Sequence, residues 1–167
     1  MEKTTKRKLL FIGDSITDVG RNRNNPDSLG KGYVALIAKA LADRDVSERY
    51  QLINRGISGN RILDIAERWH ADCVSLEPDV VTLLIGINDT WHNVGDEAVF
   101  ATEAGAEQFE MHYRHLLASL RKKSDARLIL MEPFVFPYPE DRITWRLDLD
   151  PKQAIAKPLA AEIHDES

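Results

Sequence analysis

Cysteine is nearly missing from this chain: Cys73 is the only one among 167 residues, so no internal disulfide can form. Long apolar runs are missing too, and no stretch approaches the length needed to cross a bilayer. The start carries Lys3, Lys6, Arg7 and Lys8, but the apolar run behind them is only Leu9 to Ile12, too short for the core of a signal peptide. Basic charge is not in excess. Lys and Arg number 22 against 27 Asp and Glu, a net charge of −5 with no Lys/Arg stripe, which argues against a nucleic-acid partner. Internal repeats, low-complexity segments and linkers are absent as well. These absences leave one domain over residues 1–167, with no membrane partner and a reducing, cytoplasmic compartment as the expectation. Hydrophobic residues at 43% and charged residues at 29% suit a globular chain with a real core.

What is present alternates. Short apolar, β-rich runs at residues 9–12, 51–54, 79–85 and 127–131 read as strands, the third apolar at nearly every position and so covered on both faces. Between them, apolar residues recur at helical spacing over residues 33–41, 62–73 and 99–123. Cys73 falls on the apolar stripe of the second helix and reads as a small core residue. His70 falls off that stripe and reads as solvated. Asp150 and Pro151 predict a helix start, with the Asp as N-cap and the Pro in first position. That helix runs toward His164, and Pro158 inside it is expected to kink or shorten it. Residues 18–31 and the stretch after residue 90 to Glu97 read as polar loops, and Glu132 to Pro139 as a stiff, proline-broken one. Strands alternating with helices make an α/β fold with a mainly parallel sheet.

Three residues carry the chemistry. Ser15, Gly59 and Asn88 each follow a predicted strand at its carboxyl end, and in a parallel sheet those ends share one edge. Alone, each has a plainer reading: Asp14 or Ser15 caps a helix, and Gly59 or Asn88 closes a turn. Together they are the parts of an acyl-transfer site. A serine oxygen attacks a carbonyl, while the serine N–H, a glycine N–H and an asparagine amide take up the developing oxyanion. His112 and His115 stand three apart on the predicted long helix, but no third ligand accompanies them and no metal is assigned.

Gly-Asp-Ser-Ile-Thr-Asp (13–18), Asn-Arg-Gly-Ile-Ser-Gly-Asn (54–60) and Gly-Ile-Asn-Asp-Thr (86–90) resemble the first three blocks of the SGNH hydrolases, also called GDSL esterases. Within that family the chain is most similar to bacterial sugar-ester deacetylases of the acetylxylan-esterase type, with Tyr33-Val34, Arg68-Trp69, Pro78-Asp79 and Pro133-Phe134 as further points of likeness. The resemblance implies a three-layer α/β/α, flavodoxin-like fold with Ser15 as nucleophile and Ser15, Gly59 and Asn88 as the oxyanion hole. It implies no cofactor, metal or organic, and a small-molecule ester as substrate, an acetylated sugar among the candidates. The family's fourth block, Asp-x-x-His after a fifth strand, has no counterpart here: the sequence reads as truncated, short of the last strand and helix. His164-Asp165 has the wrong order, and Asp89-Thr90-Trp91-His92 matches the spacing but reads as pocket wall, with His92 a substitute base only if it reaches Ser15. An ester hydrolase and a catalytically impaired module that binds acylated sugar both stay open, as does a homo-oligomer.

Overall fold

The computed structural model describes residues 5–165. The start of the basic N-terminal segment, through Thr4, lies outside them. So do the side chains of His164 and Asp165, whose backbone ends the last helix.

Four strands form the sheet: β1 (Arg7–Gly13), β2 (Tyr50–Gly56), β3 (Val80–Leu84) and β4 (Arg127–Met131). Their order is β2-β1-β3-β4 and every pairing is parallel. Leu10 sits beside both Ile53 and Val81, and Val81 beside Leu128, so one buried apolar row crosses the whole sheet. The crossover from β1 to β2 runs one way along the sheet, and those from β2 to β3 and β3 to β4 run the other way. Right-handed crossovers therefore put α2 (Tyr33–Ala42) on one face, and α3 (Ile62–Asp72) and α5 (Glu103–Arg121) on the opposite face. This is the three-layer arrangement. Helix α6 (Arg146–Asp165) packs beside α5 and β4. Ile65 and Trp69 of α3, Phe109, Tyr113 and Leu116 of α5, and Ile155 and Leu159 of α6 close over the sheet in a single core. Cys73 is buried in that core as expected, and burial pushes its thiol up to about 12.

The strands agree with the sequence reading to within two residues at each end, but three helical features do not. The long helix starts at Glu103 rather than at residue 99, because the Thr102 hydroxyl accepts the Gly105 N–H at 3.1 Å and caps it there. A short helix, α4 (Ile87–Asn93), occupies the start of the expected polar loop and buries Asn88 and Thr90. Helix α6 begins four residues before Asp150, so Asp150 is no N-cap and Pro151 is not in first position. A single turn at Glu140–Ile143 leads into it, and the Trp145 carbonyl accepts from both Asp148 and Leu149. Neither Pro151 nor Pro158 ends the helix. Both stand on its exposed face, seven apart, as do Leu147 and Ala154, whose carbonyls lose their helical donors; water can serve them there.

Candidate active site

The sheet's strand order reverses around β1, whose neighbours β2 and β3 are reached by crossovers in opposite directions. That switch point opens a crevice outside the carboxyl ends of β1 and β3, where such sheets bind ligands. Ser15 follows β1 and Asn88 follows β3, and both line one cavity of about 570 Å³ there. Ser15 is exposed, the first residue of the short helix α1 (Ser15–Asp18). Asp14 caps that helix through a 3.0 Å bond from the Ile16 N–H. Burial raises the Asp14 carboxyl to about 6 against the opposing pull of that N–H. The turn demands glycine at position 13: a Cβ would lie 2.4 Å from the Leu84 carbonyl oxygen, so β1 could not lie against β3 at the nucleophile's root.

Gly59 sits on the loop between β2 and α3 with φ +84°, a left-handed conformation suited to glycine. Nothing lies within 4 Å of where its Cβ would be, so the requirement is conformational and not one of space. Among the described residues the Ser15 and Gly59 N–H groups donate no hydrogen bond. Gly59 is exposed and does not itself line the Ser15 cavity, but its loop is tied to Asn88: the Asn88 amide donates to the Asn60 carbonyl at 3.0 Å.

Residues that sequence reasoning missed hold this loop. Asp18, buried at the end of α1, accepts the Ser58 N–H at 2.9 Å, Arg21 Nε at 3.1 Å and the Arg23 guanidinium. Burial pushes its carboxyl up, but Arg23, the Ser58 N–H and the charge of Arg21 outweigh it and hold the group below the usual carboxylate range. Arg21 also donates to the Gly56 carbonyl. Arg68 of α3 reaches four places at once: Asn60 Oδ1 at 2.7 Å, the Arg55 carbonyl at 2.7 Å, Asp72 at 2.8 Å and the Gly13 carbonyl at 3.2 Å. Buried Asn54 donates to the Thr17 and Leu29 carbonyls at 2.8 and 3.0 Å. The signals for these were Asp18 and Asn54 at the ends of the quoted blocks 13–18 and 54–60, the Arg- and Asn-rich stretch after residue 18, which reads as a polar loop, and Arg68-Trp69, a likeness without a role.

The described histidines do not line the Ser15 cavity. His92 and His112 line a second cavity of about 240 Å³ with Arg61, Asp89 and Lys152. His115 is exposed. None of these lines the Ser15 cavity, and His92 is thus pocket wall of a different pocket. Among the described residues no group of three or more His, Cys, Asp or Glu is placed to hold a metal. Asp89 points its carboxylate at α3 and accepts the Ile62 N–H on both oxygens at 3.1 Å. Burial raises it to about 7, opposed by those bonds and by the charge of Lys152.

The parallel, doubly wound sheet thus presents an exposed serine and an asparagine in one cavity at its central crevice. The chain belongs to the GDSL-like lipase/acylhydrolase family, whose model matches residues 11–165. It is 34% identical over 159 residues to an acetylxylan esterase of Geobacillus stearothermophilus, covering 93% of this chain and 72% of that protein. Among solved structures, one described as a GDSL-like lipase from Parabacteroides merdae superposes with a TM-score of 0.83 at 32% identity, covering 97% of this chain and 78% of the other. A catalytic mutant of the Geobacillus esterase, with a serine replaced by alanine, superposes with a TM-score of 0.78 at 31% identity, covering 98% of this chain and 76% of the other. Family and relatives make this an esterase-type hydrolase. No helix among the described residues is long and apolar enough to cross a membrane.

Proposed function

We propose that this chain hydrolyses esters of carbohydrates, acetyl esters foremost, through a serine nucleophile. One observation carries the reading: Ser15 stands exposed in the crevice at the sheet's switch point, with Asn88 lining the same cavity. Ser15 Oγ attacks the acyl carbonyl carbon and forms a tetrahedral adduct. The negative charge on its oxygen is met by the Ser15 N–H, the Gly59 N–H and the second hydrogen of the Asn88 amide. The adduct collapses, the sugar hydroxyl leaves with a proton, and water then frees the acid from Ser15. The serine of the related Geobacillus esterase whose replacement defines a catalytic mutant supports the first role. That relative's description as an acetylxylan esterase supports the substrate class.

A serine hydroxyl is a weak nucleophile until a base takes its proton. No histidine among the described residues lines the Ser15 cavity. In a related mechanism, loss of a triad member leaves about 10³–10⁴-fold over water, which a p-nitrophenyl acetate assay resolves. Ser15→Ala is expected to bring that rate to background. Unchanged turnover in this variant removes the serine mechanism.

A further inference from the structure

Arg68 stands behind the site and does not line the Ser15 cavity. It lies on α3, one residue before the buried Trp69, and its side chain is 15% exposed. A helix arginine with an aspartate four residues on is ordinarily a solvated ion pair that contributes little. Here the bond to Asp72 occupies one of the five N–H groups that a guanidinium carries, and three more reach outside the helix. Nε donates to Asn60 Oδ1 at 2.7 Å, Nη1 to the Arg55 carbonyl at 2.7 Å and Nη2 to the Gly13 carbonyl at 3.2 Å. Taking a guanidinium out of water is costly unless its donors find partners, and these three acceptors are where most of them go. None of the three belongs to α3. All lie on the stretches that carry Ser15 and Gly59.

Each acceptor anchors a different part. Gly13 ends β1 just before the Asp14-Ser15 turn, and its carbonyl also accepts the Ile57 N–H at 3.0 Å. Arg55 lies near the end of β2, where the chain is about to leave the sheet. Asn60 closes the turn beyond it: its N–H donates to the Ile57 carbonyl at 3.2 Å, with Gly59 in the third position. The Asn60 carbonyl in turn accepts the Asn88 amide. One side chain thus touches the root of the nucleophile turn, the start of the Gly59 loop and its end. A planar guanidinium fixes angles as well as distances among its partners, which a rotating ammonium does not. We propose that Arg68 is the positioning residue of this site: it holds the Ser15 turn, the Gly59 turn and, through Asn60, the Asn88 amide in one fixed relation. The inference rests on the esterase reading. It adds that part of the hydrolysis rate is set by a residue that never meets the substrate.

Arg68→Lys keeps the charge beside Asp72 and a long stem, so the fold should hold, as circular dichroism and thermal melting would verify. On p-nitrophenyl acetate it should lower kcat at least about tenfold with KM within a few-fold, the mark of misplaced reacting groups. Asn60→Ala removes one acceptor, keeps the Asn60 carbonyl and should give a loss of the same order. Joined, the two changes should lower kcat little further than either alone, because both break one brace. A smaller loss in folded Arg68→Lys, or losses that multiply in the double variant, would overturn the proposal. So would full turnover by Asn60→Ala, which decides the matter if Arg68→Lys fails to fold. A second readout needs no turnover. In the ¹⁵N-labelled chain the Asn88 amide hydrogen bound to Asn60 should exchange slowly with solvent, and Arg68→Lys should abolish that protection. Protection kept in full would overturn the proposal as well. Ser15→Ala keeps the two readings separable. Turnover that survives Ser15→Ala sinks the esterase reading and leaves the brace to the exchange measurement. Ser15-dependent turnover that Arg68→Lys leaves unchanged sinks only the positioning role.

Discussion

Asn88 commits one of its two amide hydrogens to the Asn60 carbonyl, so its orientation is fixed before any substrate arrives. A donor held in advance acts on the charge that appears in the transition state and less on the ground-state ester. Asn88→Ala is therefore expected to lower kcat about 10²–10³-fold with KM within a few-fold, measured on an aryl acetate. A change confined to KM would make Asn88 a substrate-holding residue instead. The shared cavity of Ser15 and Asn88 was legible in the sequence because residue type and position at a strand end coincide in each, whereas Gly59, expected beside them, does not line that cavity. The roles of Asp18 and Arg68 were not legible. Asp18 meets Ser58 across 40 residues of chain, and Arg68 meets Gly13 across 55. No local pattern marks such a partnership; it exists only once β1 and β2 lie side by side.

Elements were easier to read in their middles than at their starts. The middles of the four strands were legible because each lies in a short apolar run, Leu9–Ile12, Leu52–Ile53, Val80–Val81 with Leu83–Ile85, and Leu128–Met131, bounded by polar residues or glycine. The start of α6 was not, because Asp150-Pro151 imitates a helix start while Asp148 is turned inward, where it pairs with Lys152 and accepts the Ala101 N–H at 2.9 Å. Helix α4 was hidden because its sequence is polar, and it is held by what it does for its neighbours. Asp89 of α4 takes the first free N–H of α3, joining the two helices. That junction titrates. Asp89 at about 7 and Asp14 at about 6 are both raised above the ordinary 3.8, so the folded chain keeps protons that the unfolded chain has lost. Each group's contribution is full below pH 3.8 and is lost as pH rises through its folded value. The slope is at most about 1.4 kcal/mol per pH unit for each proton. Urea unfolding at pH 5 and pH 7.5 should show the lower stability at pH 7.5, and Asp89→Asn should shrink the difference. An unaltered difference in that variant would place the titration elsewhere.

On the scale of the whole molecule, the sheet is wound so that its central strands carry the site and β4 is left at an edge. β4 has no further strand beside it among the described residues, and Ile129 on it is 44% exposed. An uncovered apolar edge invites pairing with another chain. The protein is expected to self-associate at high concentration, and Ile129→Lys to reduce this in sedimentation velocity. Equal association in the variant would place the contact on another surface. At the other extreme of exposure stands Lys152, whose side chain is 1% exposed under α4 and α5. Lys39 on α2 is 71% exposed. An amine-acylating reagent should therefore mark Lys39 at once and leave Lys152 unmarked until α6 comes away. Peptide mass spectrometry of Lys152 then becomes an internal clock for opening of the molecule, read without any added label or engineered probe. Labelling of Lys152 as fast as Lys39 in native buffer would mean that α6 is loosely held.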